Sequence, residues 1–261
     1  MQSEAETGVT AQSTTQRAAL AGRTVVITRP VGTASALARQ VRVLGGVPVL
    51  LPGLSLRGID DPVAVREQLA AALQEELLVF TSPAAVRYAH ALMPLKTRAT
   101  VFAVGQGTAL ALQRHGLAAL APSQRQDSEG LLALPSLQIL RDRRIALIGA
   151  PGGRGVLREQ LVARGMQLRE LHVYRRTSPR LDRRHIDAVL QLSPDARVLL
   201  SSAEALQNLL AILPSPARVR LCAALAVVSS ERLAQIARSA GFTQIRVAAS
   251  ARSSDLLAAA V

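Results

Sequence analysis

Short apolar runs alternate along the chain with longer stretches in which apolar residues recur every three or four positions, the pattern of strands followed by helices. Thr24-Val25-Val26-Ile27 is the first run. A helical pattern with Leu37, Val41 and Leu44 follows, closes at Gly45-Gly46, and gives way to a second strand at Val47-Pro48-Val49-Leu50-Leu51. Pro52-Gly53 interrupts the chain, and Leu54-Ser55-Leu56-Arg57 alternates as a short edge strand does. Asp61-Pro62 starts a helix running towards Leu73, with Asp as cap and Pro at the first helical position. Strands are then predicted at 77–80, 100–104, 117–120, 144–148 and 168–173, and helices open at Thr81-Ser82-Pro83, Gly105 to Thr108, Asp127-Ser128-Glu129 and Val156. Past Pro179 the same grammar returns. Asp182 opens a helix to Leu192, strands end at Ser201-Ser202 and Ser229-Ser230, a last strand spans 244–248, and Ser253-Ser254-Asp255 caps the last helix.

These segments form a permuted repeat. Residues 23–51 resemble 144–173: basic residue, apolar strand, turn, helix, Gly, strand. Arg29 and Gly45 are 16 positions apart and Ala150 and Gly165 are 15 apart. Residues 61–134 resemble 182–259 in the same way, with 21 residues from Asp61 to Ser82 and 20 from Asp182 to Ser202. The expectation is an α/β protein of two similar five-stranded, flavodoxin-like parallel-sheet domains, one inserted into the other and joined by a two-stranded linker. Its boundaries are a disordered leader over 1–20, a discontinuous domain 1 of 21–51 plus 180–261, linker strands at 52–58 and 172–179, and domain 2 over 59–171. Tyr174, in the return crossover, would stand at the rim of an interdomain cleft.

Composition narrows the function. The 261 residues suit two domains, each with its own core. Aromatics make up only 2% and Trp is absent, so the cores are built from Ala, Val, Leu and Ile. No apolar run approaches the ~20 residues that cross a bilayer. Cys222 stands alone, which excludes an internal disulfide, and a cytoplasmic, monomeric protein without membrane partners is expected. The net charge is +13, and Lys96 is the only lysine. A GC-rich genome, a polyanionic ligand met by paired guanidinium bonds, and nucleic acid each account for that bias. Scattered arginines and the shortage of stacking aromatics speak against nucleic acid.

In open parallel sheets, ligands collect beyond the carboxyl ends of the strands, where helix N-termini favour anions. The turns there carry Thr28-Arg29, Thr81-Ser82, Gly105 to Thr108, Gly149 to Gly155, Ser201-Ser202 and Ser229-Ser230. Any one of these hydroxyls is explained by capping alone; as a set they would make an anion-tolerant surface. Gly149 to Gly155 matches neither G-x-G-x-x-G nor the ATPase loop, and Arg154 within it either meets an anion or is a solvated residue of a first turn. His90, His115, His172 and His185 show no metal-ligand spacing, Ser201 and Ser202 lack a hydrolase elbow, and Asp127 and Glu129 read as caps.

The motifs Ile27-Thr28-Arg29-Pro30, Phe80-Thr81-Ser82-Pro83-Ala84-Ala85-Val86, Ala103-Val104-Gly105-Gln106-Gly107-Thr108-Ala109, Ser128-Glu129-Gly130-Leu131-Leu132 and Val173-Tyr174-Arg175-Arg176 together resemble the uroporphyrinogen-III synthase family. Their order and spacing, from about Gly22 onward, make the set specific. The resemblance implies a lyase that uses no cofactor and no metal. It would act on hydroxymethylbilane, a linear tetrapyrrole with eight carboxylates, promote loss of its terminal hydroxyl, invert the last ring through a spiro intermediate and close the macrocycle. Substrate hand-over from hydroxymethylbilane synthase belongs to the same picture. Tyr174 matches the family's helper for hydroxyl loss. Arg29, Thr81, Ser82, Gly105, Gln106, Thr108, Ser128, Arg154, Ser201, Ser202, Ser229 and Ser230 are the candidate substrate contacts. Val228-Ser229-Ser230-Glu231 departs from the glycine- and threonine-containing turn of many relatives. The alternative function is a non-enzymatic tetrapyrrole or anion-sensing module of the same fold.

Overall fold

The computed structural model describes residues 19–152 and 155–261. It is an α/β protein with parallel sheets. The chain divides into two compact units, one running to Ser55 and resuming at Thr177–Val261, the other Leu56–Arg176.

The first unit holds a five-stranded parallel sheet. Its strands are β1 (Thr24–Ile27), β2 (Val47–Leu50), β9 (Arg197–Leu200), β10 (Leu225–Val228) and β11 (Ile245–Val247), in the spatial order β11-β10-β9-β1-β2. The second unit holds β4 (Leu77–Phe80), β5 (Thr100–Ala103), β6 (Arg144–Gly149) and β7 (Gln167–His172), in the order β5-β4-β6-β7. Matching β1–β2 with β6–β7, and β9–β10 with β4–β5, gives the two sheets one order. The boundary between the units falls within a two-stranded sheet of β3 (Ser55–Gly58) and β8 (Tyr174–Thr177).

Past their first residues the central strands are apolar because both of their faces are covered. Along β1, Val26 enters one hydrophobic cluster while Val25 and Ile27 enter another; Val198 and Leu200 of β9 part from Leu199 in the same way. In the second unit, Leu78 and Phe80 pack on one side of β4, Leu77 and Val79 on the other. A strand alternates its side chains between faces, so a continuous apolar run is what two buried faces require. The helices begin where short polar side chains can accept the free N–H groups of a first turn. Asp61, Ser82, Asp127, Asp182, Ser202 and Ser230 all do so.

Four sequence expectations change. The predicted strand at 117–120 is a single bridge, Phe102 with Leu120, so the second sheet has four strands. Pro122 lacks the N–H that would extend the ladder. A helix at Ser215–Ala223 was not expected; Pro214 and Pro216 both fall at its start, where proline is tolerated. The helix opened at Asp127-Ser128-Glu129, expected to carry Leu131, Leu132 and Leu134, ends at Leu132, and Pro135 starts a short new one. Leu20, assigned to the leader, is fully buried beside Val41 and donates its N–H to the Leu44 carbonyl at 2.8 Å. The rest of the leader, through residue 18, lies outside the described residues.

Candidate functional site

In the second unit, β4 ends in Thr81-Ser82. The Thr81 Oγ1 donates to the Ile148 carbonyl at 3.3 Å, across the sheet to β6. Ser82 caps helix Pro83–Leu92 in an extended conformation; its Oγ accepts the Ala85 N–H at 3.0 Å and lies 3.1 Å from the Tyr174 hydroxyl. Tyr174 opens β8 and is 5% exposed, buried in the core of its own unit rather than standing open at a rim. Its ring stacks on Tyr88 with centroids 5.3 Å apart.

The next turn abuts this one. Gly105 caps helix Gln106–Gln113, and Thr108, only 3% exposed, donates its N–H to the Gly105 carbonyl at 3.0 Å. A Cβ on Gly107 would lie 3.7 Å from Cγ of Pro83. The Gln106 N–H donates to Oε1 of Gln126 at 3.2 Å, and its side chain donates to the Pro122 carbonyl at 3.3 Å. Gln126 thereby joins the turn to the segment bearing Ser128. Ser128 is the first residue of its helix; the cap is Asp127, which accepts the Gly130 N–H at 2.8 Å. On the loop after β6, the Pro151 carbonyl accepts from Nη2 of Arg176 at 2.8 Å. Arg154 lies outside the described residues. Thr81, Ser82, Gly105, Gln106, Thr108 and Tyr174 thus come together at the carboxyl edge of one sheet.

In the first unit, Thr28 donates to the Leu199 carbonyl at 2.7 Å, so its hydroxyl proton is spent inside the sheet. Arg29 donates through Nη2 to Ser253 Oγ at 3.1 Å, at the start of helix Ser253–Ala260. Burial lowers its pKa from the ordinary value, yet a guanidinium stays charged in such a place. Ser202 and Ser230 act as caps, accepting from the Ala205 N–H at 3.2 Å and the Leu233 N–H at 3.3 Å. Ser201 is exposed, and the Ser229 N–H donates to the Leu200 carbonyl at 3.1 Å. Asn208 donates to the Gly53 carbonyl at 3.0 Å and pairs with Ser178 at 3.2 Å, tying both ends of this unit's interrupted chain to one helix.

Sequence reasoning missed Tyr88, Gln126 and Asn208. Of these only Tyr88 carried a signal, as the second of two tyrosines. Among the described residues no group of three or more His, Cys, Asp or Glu side chains could hold a metal ion. No described helix is long and apolar enough to cross a membrane.

A family model described as uroporphyrinogen-III synthase HemD matches residues 35–258. The chain belongs to the uroporphyrinogen-III synthase family. It is 32% identical over 242 residues to the uroporphyrinogen-III synthase of Escherichia coli strain K12, covering 90% of this chain and 98% of that one. Two solved structures share the fold. The uroporphyrinogen-III synthetase of Helicobacter pylori 26695 aligns with TM-score 0.61 at 14% identity, over 90% of this chain and 97% of its own. A mutant uroporphyrinogen III synthase of Thermus thermophilus aligns with TM-score 0.59 at 21% identity, over 91% and 96%. The uroporphyrinogen-III synthase match spans every candidate residue except Arg29, which precedes it. Members of this family are cyclising lyases of haem biosynthesis, and hydroxymethylbilane is their substrate.

Proposed function

We propose that this uroporphyrinogen-III synthase closes hydroxymethylbilane with inversion of the terminal pyrrole ring and loss of water, and that Tyr174 assists departure of the hydroxyl. Family membership supports the reaction. The observation that carries the residue assignment is the 3.1 Å contact between the Tyr174 hydroxyl and Ser82 Oγ, which holds the phenol in a defined place. A phenol stays protonated at neutral pH and can donate to a departing oxygen. In the step, the C–O bond at the terminal hydroxymethyl carbon breaks as the adjoining pyrrole nitrogen supplies its electron pair. The oxygen takes the phenol proton and leaves as water. Tyr174 regains a proton when the ring-closing pyrrole carbon loses its own.

The bilane also closes unaided, without inversion, so the enzyme's larger task is to hold one folded geometry. In the second unit the helix N-termini at Ser82 and Gly105 supply donors for carboxylates; in the first unit those at Ser202 and Ser230, with Arg29, do the same. Each unit reads as a flavodoxin-like domain. The order β11-β10-β9-β1-β2, which becomes 2-1-3-4-5 when the strands are counted within that unit, supports this. Insertion of 59–171 into a domain of 21–51 and 180–261 accounts for the permuted repeat. A monomer in the cytoplasm, supplied by hydroxymethylbilane synthase, completes the proposal. The test is to generate hydroxymethylbilane, add the full chain and identify the oxidised porphyrin isomer. Type III is expected; type I alone would overturn the reading.

A further inference from the structure

Helix Pro83–Leu92 and its cap touch Tyr174 at two places. Ser82 meets the hydroxyl, and Tyr88 lies against the ring with planes 13° from parallel. Helical side chains lean back towards the N-terminus, so the Tyr88 ring covers the turn that Ser82 begins. The two contacts restrain different motions. Stacking fixes the plane of the phenol but leaves its O–H free to rotate. The Ser82 contact fixes that rotation but not the plane. The Arg87 guanidinium, 5.9 Å from the Tyr88 ring centroid, adds a cation–π attraction that restrains Tyr88 in turn.

The protons can be counted. Ser82 Oγ already accepts the Ala85 N–H. A hydroxyl has one proton and two acceptor sites, so Ser82 keeps a proton to give. Given to the Tyr174 oxygen, it leaves the phenol proton for a third group. The reverse bond would spend the phenol proton on Ser82.

We propose that Tyr88 is a positioning residue for Tyr174, holding the phenol in the plane where Ser82 donates to its oxygen and its own proton is left for the departing hydroxyl of the substrate. This rests on the assignment of Tyr174 to hydroxyl loss.

The chain has two tyrosines and no tryptophan, so near-ultraviolet circular dichroism of the full chain reads the stacked pair directly. Tyr88→Leu, Tyr88→Phe, Tyr174→Phe and the Tyr88→Leu/Tyr174→Phe double variant are compared on hydroxymethylbilane. Tyr88→Leu is expected to keep the far-ultraviolet spectrum, lose the stacking signal and lower kcat about tenfold with KM within about twofold, as a small misplacement of a reacting group does. Tyr88→Phe keeps a ring and restores most of kcat. In the Tyr174→Phe background, Tyr88→Leu costs nothing further. An equal loss in both backgrounds would show that Tyr88 serves the fold and would overturn the proposal. So would full kcat in Tyr88→Leu beside a slow Tyr174→Phe, which leaves the role of Tyr174 intact. If Tyr174→Phe itself retains full turnover, the assignment of Tyr174 fails and the positioning role with it. Should Tyr88→Leu not fold, Tyr88→Met takes its place, a flexible chain that fills the gap without a ring.

Discussion

The absence of a side chain at Gly149 makes room for Thr81: a Cβ there would fall well inside van der Waals contact of the Thr81 Oγ1. Thr81 has little freedom to yield, since its hydroxyl donates to Ile148 and its own N–H donates to the same carbonyl at 3.1 Å. Gly149→Ala is expected to destabilise the chain by about 1–3 kcal/mol, the cost of overpacking a filled site. Thr81→Ala removes the obstructing atom. The double variant should therefore be more stable than Gly149→Ala alone, a coupling that urea unfolding of the three variants measures.

Ser82 serves two partners, and substitutions can separate them. Ser82→Ala removes an N-cap, which costs about 1 kcal/mol of stability, and also removes the partner of the phenol. Ser82→Asp keeps a good cap but places an ionised acceptor beside Tyr174. It should draw the phenol proton to itself, so that the chain unfolds at nearly the wild-type urea midpoint yet turns over about tenfold or more slowly. A fast Ser82→Asp enzyme would show that the direction of this hydrogen bond does not matter.

Asp182 gives the chain a pH-dependent cap. The His185 N–H, followed by the His185 side chain, holds the carboxylate pKa below its ordinary 3.8. A depressed folded pKa adds stability that is present above pH 3.8 and is lost as pH falls through the lower folded value. Asp182→Asn keeps a capping oxygen without the charge. Its deficit against wild type should be visible at about pH 6 and shrink to nothing under more acid conditions, as followed by thermal midpoints across that range. A deficit that is constant with pH would assign the effect to hydrogen bonding alone.

Arg29 donates to a neutral hydroxyl, that of Ser253, which leaves its charge available to a carboxylate. Arg29→Lys preserves the charge but not the planar fork that binds carboxylate through two bonds. On hydroxymethylbilane its KM is expected to rise about fivefold, with kcat changed less, in the pattern of lost uniform binding. A kcat loss at constant KM would move Arg29 from binding to chemistry.

The elements were legible in the sequence because their causes are local. Short apolar runs on doubly covered strands fix β1, β4, β9 and β10, and Ser just ahead of apolar periodicity fixes the helices after the last three. The ordered motifs, read together, were enough to point to the family. Where local cues conflict, reading failed: the helix that Pro214 and Pro216 begin was not expected, and Leu117 to Leu120 looked like a strand that Pro122 does not allow to form.

Tertiary structure alone decided which hydroxyls are already committed and which side chains meet. Thr28 and Thr81 look like their neighbours Ser202 and Ser230 in sequence, yet their protons go to carbonyls across the sheet. Ser82 and Tyr174 stand 92 residues apart in the chain, and Tyr88 reaches the same ring. No local propensity encodes such contacts. They exist because parallel strands are joined by crossover helices, so residues at the ends of different strands meet only when the sheet has assembled. The sequence could name Tyr174; only the folded unit could show what holds its hydroxyl and its ring.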